Sequence, residues 1–276
     1  MDQHNIFGRI IDSVSERTTK PDKAFLGADG LLYCSVCKSP VQTRITVFEK
    51  ERVVRCICKC RVAELEEENK RAKREQYERT RRHCFAESAM HGWTFANDDR
   101  QNPKISDAMQ RYVEKFEQFK ADSKGLLLYG TCGTGKTYYA ACIANALIDK
   151  GYTCRMTNFA TLINEMQGKF DGKQDYLNSL NRCDLLIIDD LGIESSSEFR
   201  REVVFNIIDS RYRSGKPFIV TTNLTPDEIK GAKEIGQQRV FDRVLERCFP
   251  VQINGASRRR QELKESYSDI KNALGL

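Results

Sequence analysis

Eight residues constrain this chain more than any others: Gly130-Thr131-Cys132-Gly133-Thr134-Gly135-Lys136-Thr137. They lie between the apolar run Leu126-Leu127-Leu128-Tyr129, which reads as a buried strand, and a helical pattern that begins at Tyr138. Glycine at 130, 133 and 135 permits the backbone conformations that turn successive amide N–H groups inward towards an anion. The following helix directs its positive end at the same point. In such a cradle Lys136 reaches the β- and γ-phosphates of a nucleotide and Thr137 offers its hydroxyl to Mg²⁺. The expected nucleotide contacts are therefore residues 130 to 137 together with Tyr138.

A second layer should complete the site. Leu185-Leu186-Ile187-Ile188 is an apolar strand that ends in Asp189-Asp190, and open α/β sheets bind ligands at the carboxyl ends of their strands. Asp189 is expected to hold Mg²⁺. Asp190 is expected to orient and deprotonate an attacking water, with Glu194 as a residue that could share that task. Phe218 to Thr222 repeats the theme and ends in Asn223, placed to sense the γ-phosphate or the water. A turn-forming Asn before Pro226 is the alternative. Arg239, Arg243 and Arg247 recur on one face of a helix opposite Val240, Phe241, Val244 and Leu245. Three roles are open to that arginine row: solvation, DNA phosphates, or insertion into a neighbouring copy's nucleotide site.

Around these motifs strand and helix patterns alternate, as in a parallel α/β sheet flanked by helices. Helices are expected over 105–120, 138–150, 158–181 (interrupted near Gly168 and Gly172), 198–214 and 237–247, with strands at 152–156, 185–188, 218–222 and 249–253. Trp93, in an aromatic loop at the entrance to this domain, either sits on a base or packs in the core.

Five of the eleven cysteines fall between Cys34 and Cys60. A chain with no apolar run long enough to cross a membrane, and no apolar core to its first ten residues, is expected in the reducing cytoplasm, where thiols serve as metal ligands or buried hydrophobes. Cys34-Ser35-Val36-Cys37 and Cys56-Ile57-Cys58-Lys59-Cys60, separated by two strand-like runs, suit a Zn²⁺ site on a small β-ribbon. Cys34, Cys37, Cys58 and Cys60 are taken as the ligands, with Cys56 as the spare. Before this module, residues 1 to 20 carry the spacing of a short amphipathic helix. After it, residues 61 to 89 are dominated by charge and read as a helical linker. The organisation is thus a zinc module over 1–60, a linker over 61–89 and a nucleotide-binding domain over 90–276. A net charge of +6 is too mild to argue for nucleic acid on its own.

The cradle, Asp189-Asp190, Thr222-Asn223, Arg239-Val240-Phe241-Asp242-Arg243 and Ser257-Arg258-Arg259 together resemble the AAA+ ATPases of the DnaC-type helicase loaders and the related IstB-type transposase helpers, over about residues 90 to 265. The resemblance implies ATP as the nucleotide, Asn223 as sensor 1, Arg243 as an arginine finger acting in trans within a homo-oligomer, and Arg259 or its neighbour Arg258 as sensor 2. The N-terminal cysteines followed by a charged linker are similar to the helicase-binding zinc domain of loaders from Gram-positive bacteria and their phages. The implied function is ATP-dependent loading of the replicative DNA helicase onto single-stranded DNA, with hydrolysis as the release step. A transposition helper that binds duplex DNA is the alternative. A small-molecule kinase would leave the zinc module and Arg243 without a task.

Overall fold

The computed structural model describes residues 24–168, 172–192 and 198–274. The amphipathic helix expected near the N-terminus and Glu194 lie outside the described residues. The chain divides into two compact units, Met1–Gln76 and Tyr77–Leu276.

The first unit is built from two antiparallel hairpins. Strands β1 (Ala24–Leu26) and β2 (Leu32–Cys34) form one, with Phe25 opposite Tyr33. Strands β3 (Gln42–Val47) and β4 (Lys50–Arg55) form the other, joined by the two-residue turn Phe48-Glu49. Both turn residues are left-handed, at φ 50° and 60°, the conformation that matches a tight turn to the twist of its strands. The second hairpin falls where the sequence placed it; the first was not anticipated. Among the described residues only Cys34, Val41 and Cys58 form the buried centre of this unit. Three buried side chains are a small core for the described part of this unit, one to which the thiols can add more than apolar packing. Helix α1 (Lys59–Cys84) follows, with Arg61 paired to Glu64 at 3.0 Å and to Glu68 at 3.3 Å.

The second unit opens with helices α2 (Pro103–Glu114) and α3 (Phe116–Ala121), where the sequence suggested one continuous helix; the break is at Lys115. Next come β5 (Gly125–Tyr129), α4 (Lys136–Asp149), β6 (Cys154–Asn158), α5 (Phe159–Gln167), α6 (Lys173–Leu180) and β7 (Leu185–Asp189). The chain continues with α7 (Glu198–Arg213), β8 (Phe218–Thr222), α8 (Pro226–Lys230), α9 (Ile235–Arg247), β9 (Cys248–Gln252) and α10 (Arg258–Leu274). The expected strand at 152–156 begins two residues later. Tyr152 instead lies outside the sheet with its ring edge-on to Phe116, centroids 4.9 Å apart. Helices α8 and α10 were not foreseen, although α8 starts with a complete capping box between Thr225 and Glu228.

Five strands form one parallel sheet in the order β6-β7-β8-β5-β9. Its central runs are buried on both faces, as parallel strands under helices must be. Side chains alternate between two cores. Leu127, Leu186, Ile188, Phe218 and Val220 face one with Phe159, Ile207 and Val244. Leu126, Leu128, Leu185, Ile187 and Ile219 face the other with Met109, Tyr139 and Ile143. Strand β8 lies between β5 and β7, so the loop after each of these three strands opens at the same end of the sheet. There the cradle, the paired aspartates and Asn223 converge.

Candidate nucleotide site and cysteine cluster

The cradle takes the conformation its glycines allow. Gly130, Gly133 and Gly135 all have positive φ, and α4 begins at Lys136 itself. Gly133 is restricted twice over: its φ is +83°, and a Cβ there would lie 2.1 Å from Ser257 Oγ. Thr134 Oγ1 donates to the Thr131 carbonyl at 3.0 Å and braces the loop.

Lys136 is mostly buried, and its ammonium donates to Gly130 O at 2.9 Å, Thr131 O at 2.9 Å and Asn223 Oδ1 at 2.8 Å. Burial, aided by the charge of Arg259, pulls its pKa down against the opposing pull of Asp189 and Asp190. The amide of Asn223 then runs on: its Nδ2 donates to Asp190 Oδ1 at 3.4 Å. One side chain therefore touches both the expected phosphate-binding cation and the expected catalytic carboxylate.

Thr137 Oγ1 lies 3.0 and 3.1 Å from the two Asp189 oxygens, so hydroxyl and carboxylate already form a pair of hard oxygen ligands. Thr221 Oγ1 donates to Asp189 at 2.5 Å and accepts the Asp190 N–H at 2.9 Å. Burial raises the pKa of Asp189, with Asp190 adding to the shift, while the hydrogen bonds from Thr221 and Thr137 oppose it. Asp190 is held at φ 59°, a left-handed conformation that turns its carboxylate out of the strand direction. Thr221 was not singled out from the sequence. Strand periodicity was the signal available: it sits two residues before Asn223 and shares its face.

These groups line a cleft of about 600 Å³, whose other walls include Trp93, Asn97, Asp99, Gln101, Tyr138, Arg258 and Arg259. The rings of Trp93 and Tyr138 are 5.8 Å apart, so Trp93 borders the cleft while packing against the core. Arg258 donates to Asp99 at 2.8 Å, and Arg259 is exposed.

The arginine row on α9 is not uniformly exposed. Arg239 is exposed, but Arg243 donates to Asp209 at 2.8 Å and to Arg239 O at 2.9 Å, with its guanidinium 4.8 Å from the Phe205 ring centre. Arg247 lies 4.6 Å from the Tyr212 ring centre. Aromatic side chains on α7 draw both cations down onto the surface, which a helical wheel of α9 alone does not reveal.

In the first unit the Sγ atoms of Cys34, Cys37, Cys58 and Cys60 lie within 4.8 Å of one another. Two of the separations are 3.5 Å (Cys34 to Cys60) and 3.2 Å (Cys58 to Cys60). A tetrahedral Zn²⁺ with ~2.3 Å bonds needs sulfur edges of about 3.8 Å, so small outward shifts fit the metal. Cys56 Sγ turns instead to the Pro40 carbonyl at 3.4 Å. Hydrogen bonding, first from Ser39, draws the Cys37 thiol down to about 5, while its neighbours, Cys58 first, push Cys60 up to about 12.

A model of the IstB-like ATP binding protein family matches residues 60–266. The chain belongs to this ATP-binding family. It is similar to the replicative helicase loader DnaI of Bacillus subtilis, 29% identical over 61% of this chain and 58% of that protein. It is 32% identical to the replicative helicase loader DnaC of Buchnera aphidicola (Acyrthosiphon pisum), over 51% of this chain and 57% of that one. The chain thus spans less than two thirds of the length of these relatives. Among solved structures, the crystal structure of the DnaC helicase loader matches with a TM-score of 0.54 at 23% identity, covering 61% of this chain and all of that one. The crystal structure of DnaI does so at 0.54 and 24%, covering 63% and 95%. The likeness extends to the fold, a parallel sheet between helices.

Proposed function

We propose that this chain is an ATPase that loads the replicative DNA helicase onto single-stranded DNA and releases it on hydrolysis. The observation that carries the ATPase reading is the placement of Asn223 between Lys136 and Asp190. A phosphate in the cradle competes for the Lys136 ammonium with Gly130 O, Thr131 O and Asn223 Oδ1. As Lys136 turns to the phosphate, Asn223 is released to a new partner on the γ-phosphate or the attacking water. Thr137 and Asp189 would hold Mg²⁺, which would supply charge neutralisation for the phosphates. Asp190, fixed by the Thr221 hydroxyl at its backbone, accepts the proton of the attacking water. Its carboxylate is one methylene shorter than a glutamate, which favours slow turnover, as suits a timing switch. Trp93 and Tyr138 offer flat surfaces for the base, and Arg259 lies near enough to Lys136 to serve the phosphates.

Arg243 is assigned as a finger acting in trans, with Asp209 as its resting partner within its own chain. The cysteine cluster is assigned to Zn²⁺, since its four thiols fit the tetrahedron and the described residues of its unit bury only three side chains in their core. That unit is the proposed helicase contact. The names of the curated relatives support helicase loading over transposition help, although the family model is named for the latter class.

The test is a loading assay with the intact chain, the host replicative helicase and a circular single strand. Helicase retained on the circle only when the chain and ATP are present supports the proposal. ATP turnover stimulated by duplex DNA alone, with no capture of the helicase, would favour the transposition reading.

A further inference from the structure

The cleft is crossed by a contact that the ATPase reading does not use. Asp99, in the loop ahead of α2, accepts from Arg258, the first residue of α10. The two stand at opposite ends of the second unit's sequence, yet both line the nucleotide cleft. Each end is held in place. The Asp99 carboxylate also accepts the Gln101 N–H at 3.1 Å, and Asn102 Nδ2 donates to Asn254 O at 3.3 Å, a second tie beside the first. On the other side the Arg258 N–H donates to the Gly133 carbonyl at 3.0 Å, which fixes the start of α10 to the cradle. The guanidinium lies 5.7 Å from the Tyr138 ring centre and would be 3.9 Å from a Cβ at Gly135, so it stands over the cradle mouth.

We propose that Asp99 and Arg258 form a latch across the mouth of the nucleotide cleft, and that this latch sets how long a bound nucleotide stays. The inference rests on the nucleotide reading of the cleft and adds its regulation. A nucleotide between the Trp93 and Tyr138 rings and the cradle leaves only when the entrance loop and α10 part. Breaking the ion pair is part of that opening. Arg258 is then occupied as a bolt, which leaves the neighbouring Arg259 as the cation facing the phosphates.

The experiment follows release of a methylanthraniloyl-labelled ADP from the intact chain with Mg²⁺ by stopped-flow fluorescence. A half-exposed ion pair of this kind is expected to slow release about three- to five-fold. Asp99→Asn and Arg258→Gln should each raise the release rate by that factor, and their combination should raise it no further. The exchanged pair, Asp99→Arg with Arg258→Asp, should return it towards the parent value. Added salt should speed release more from the parent chain than from Asp99→Asn, in which only the phosphate contacts remain to be screened. Release unchanged in Asp99→Asn, or effects of the two single variants that simply multiply in the double variant, would overturn the latch while leaving the nucleotide site intact. A parent chain that takes up no more labelled nucleotide than Lys136→Ala would overturn the nucleotide reading and the latch with it.

Discussion

At the residue scale, Lys136, Asp190 and Asn223 share a network, yet their removal should have different signatures. Lys136→Ala removes the cation proposed for the β- and γ-phosphates and should abolish tight ATP binding, read by equilibrium titration. Asp190→Asn keeps that cation and should bind ATP but lose at least 100-fold in turnover, an order of magnitude typical of a lost general base. Equal loss of binding in both would remove the distinction between holding and activating. Asp189 supplies a pH test. Its pKa is raised by burial, and only the ionised form holds Mg²⁺ well. Mg²⁺-dependent nucleotide binding should therefore be intact well above that pKa and fall as the pH drops through it, at a higher pH than an ordinary carboxylate would give. In Asp189→Asn that acidic limb should vanish together with the Mg²⁺ dependence. The cradle and both aspartates were legible because backbone geometry and strand ends dictate their residue types. Thr221 and the Asp99 to Arg258 contact were not, since each depends on which elements become neighbours.

At the scale of elements, the parallel sheet was legible from its apolar runs, while its order was not: no local pattern says that β8 enters between β5 and β7. The spacing over 105–120 reads as one helix because Tyr112, Phe116 and Phe119 keep helical spacing across the break at Lys115. Arg211 shows how a tertiary demand hides in a helix. It is fully buried on α7, and its guanidinium donates to the carbonyls of Cys183, Asp184 and Pro217, so it joins the start of β7 to the approach to β8. Arg211→Met should leave three carbonyls, two of them in buried contacts, short of a donor and cost about 3 kcal/mol. Trp93 is the only tryptophan and belongs to the second unit, so urea unfolding followed by its fluorescence reads this loss directly. A shift below about 1 kcal/mol would mean that water satisfies those carbonyls.

For the whole molecule, two units with different sources of stability should fail independently. On the zinc assignment proposed above, chelation, or acidification that protonates the thiolates, should release about one Zn²⁺ per chain and unfold the first unit, since the folding of a small metal-held unit is coupled to its metal. The Trp93 unfolding transition should be unmoved by chelator. Simultaneous loss of both would overturn the division. Between molecules, a finger in trans makes each active site a joint property of two chains. An equal mixture of Lys136→Ala and Arg243→Ala should regain activity, at roughly a quarter of the interfaces if chains mix at random, with single-stranded DNA present to gather them. A mixture that stays inactive would return Arg243 to a local role with Asp209 and Phe205.

The place of β5 in the sheet also governs how the chain is made. Its hydrogen-bonding partners are β8 and β9, so Gly125 waits for Cys248 and Leu126 for Ile219 before the strand that carries the cradle has a neighbour on either side. During synthesis the hairpin of β3 and β4 can close as soon as it emerges, whereas the nucleotide site stays unformed until β9 has left the ribosome. A nascent chain halted after α8 would expose β5 with one edge bare, bind no nucleotide, and offer chaperones an apolar strand that the finished protein never shows.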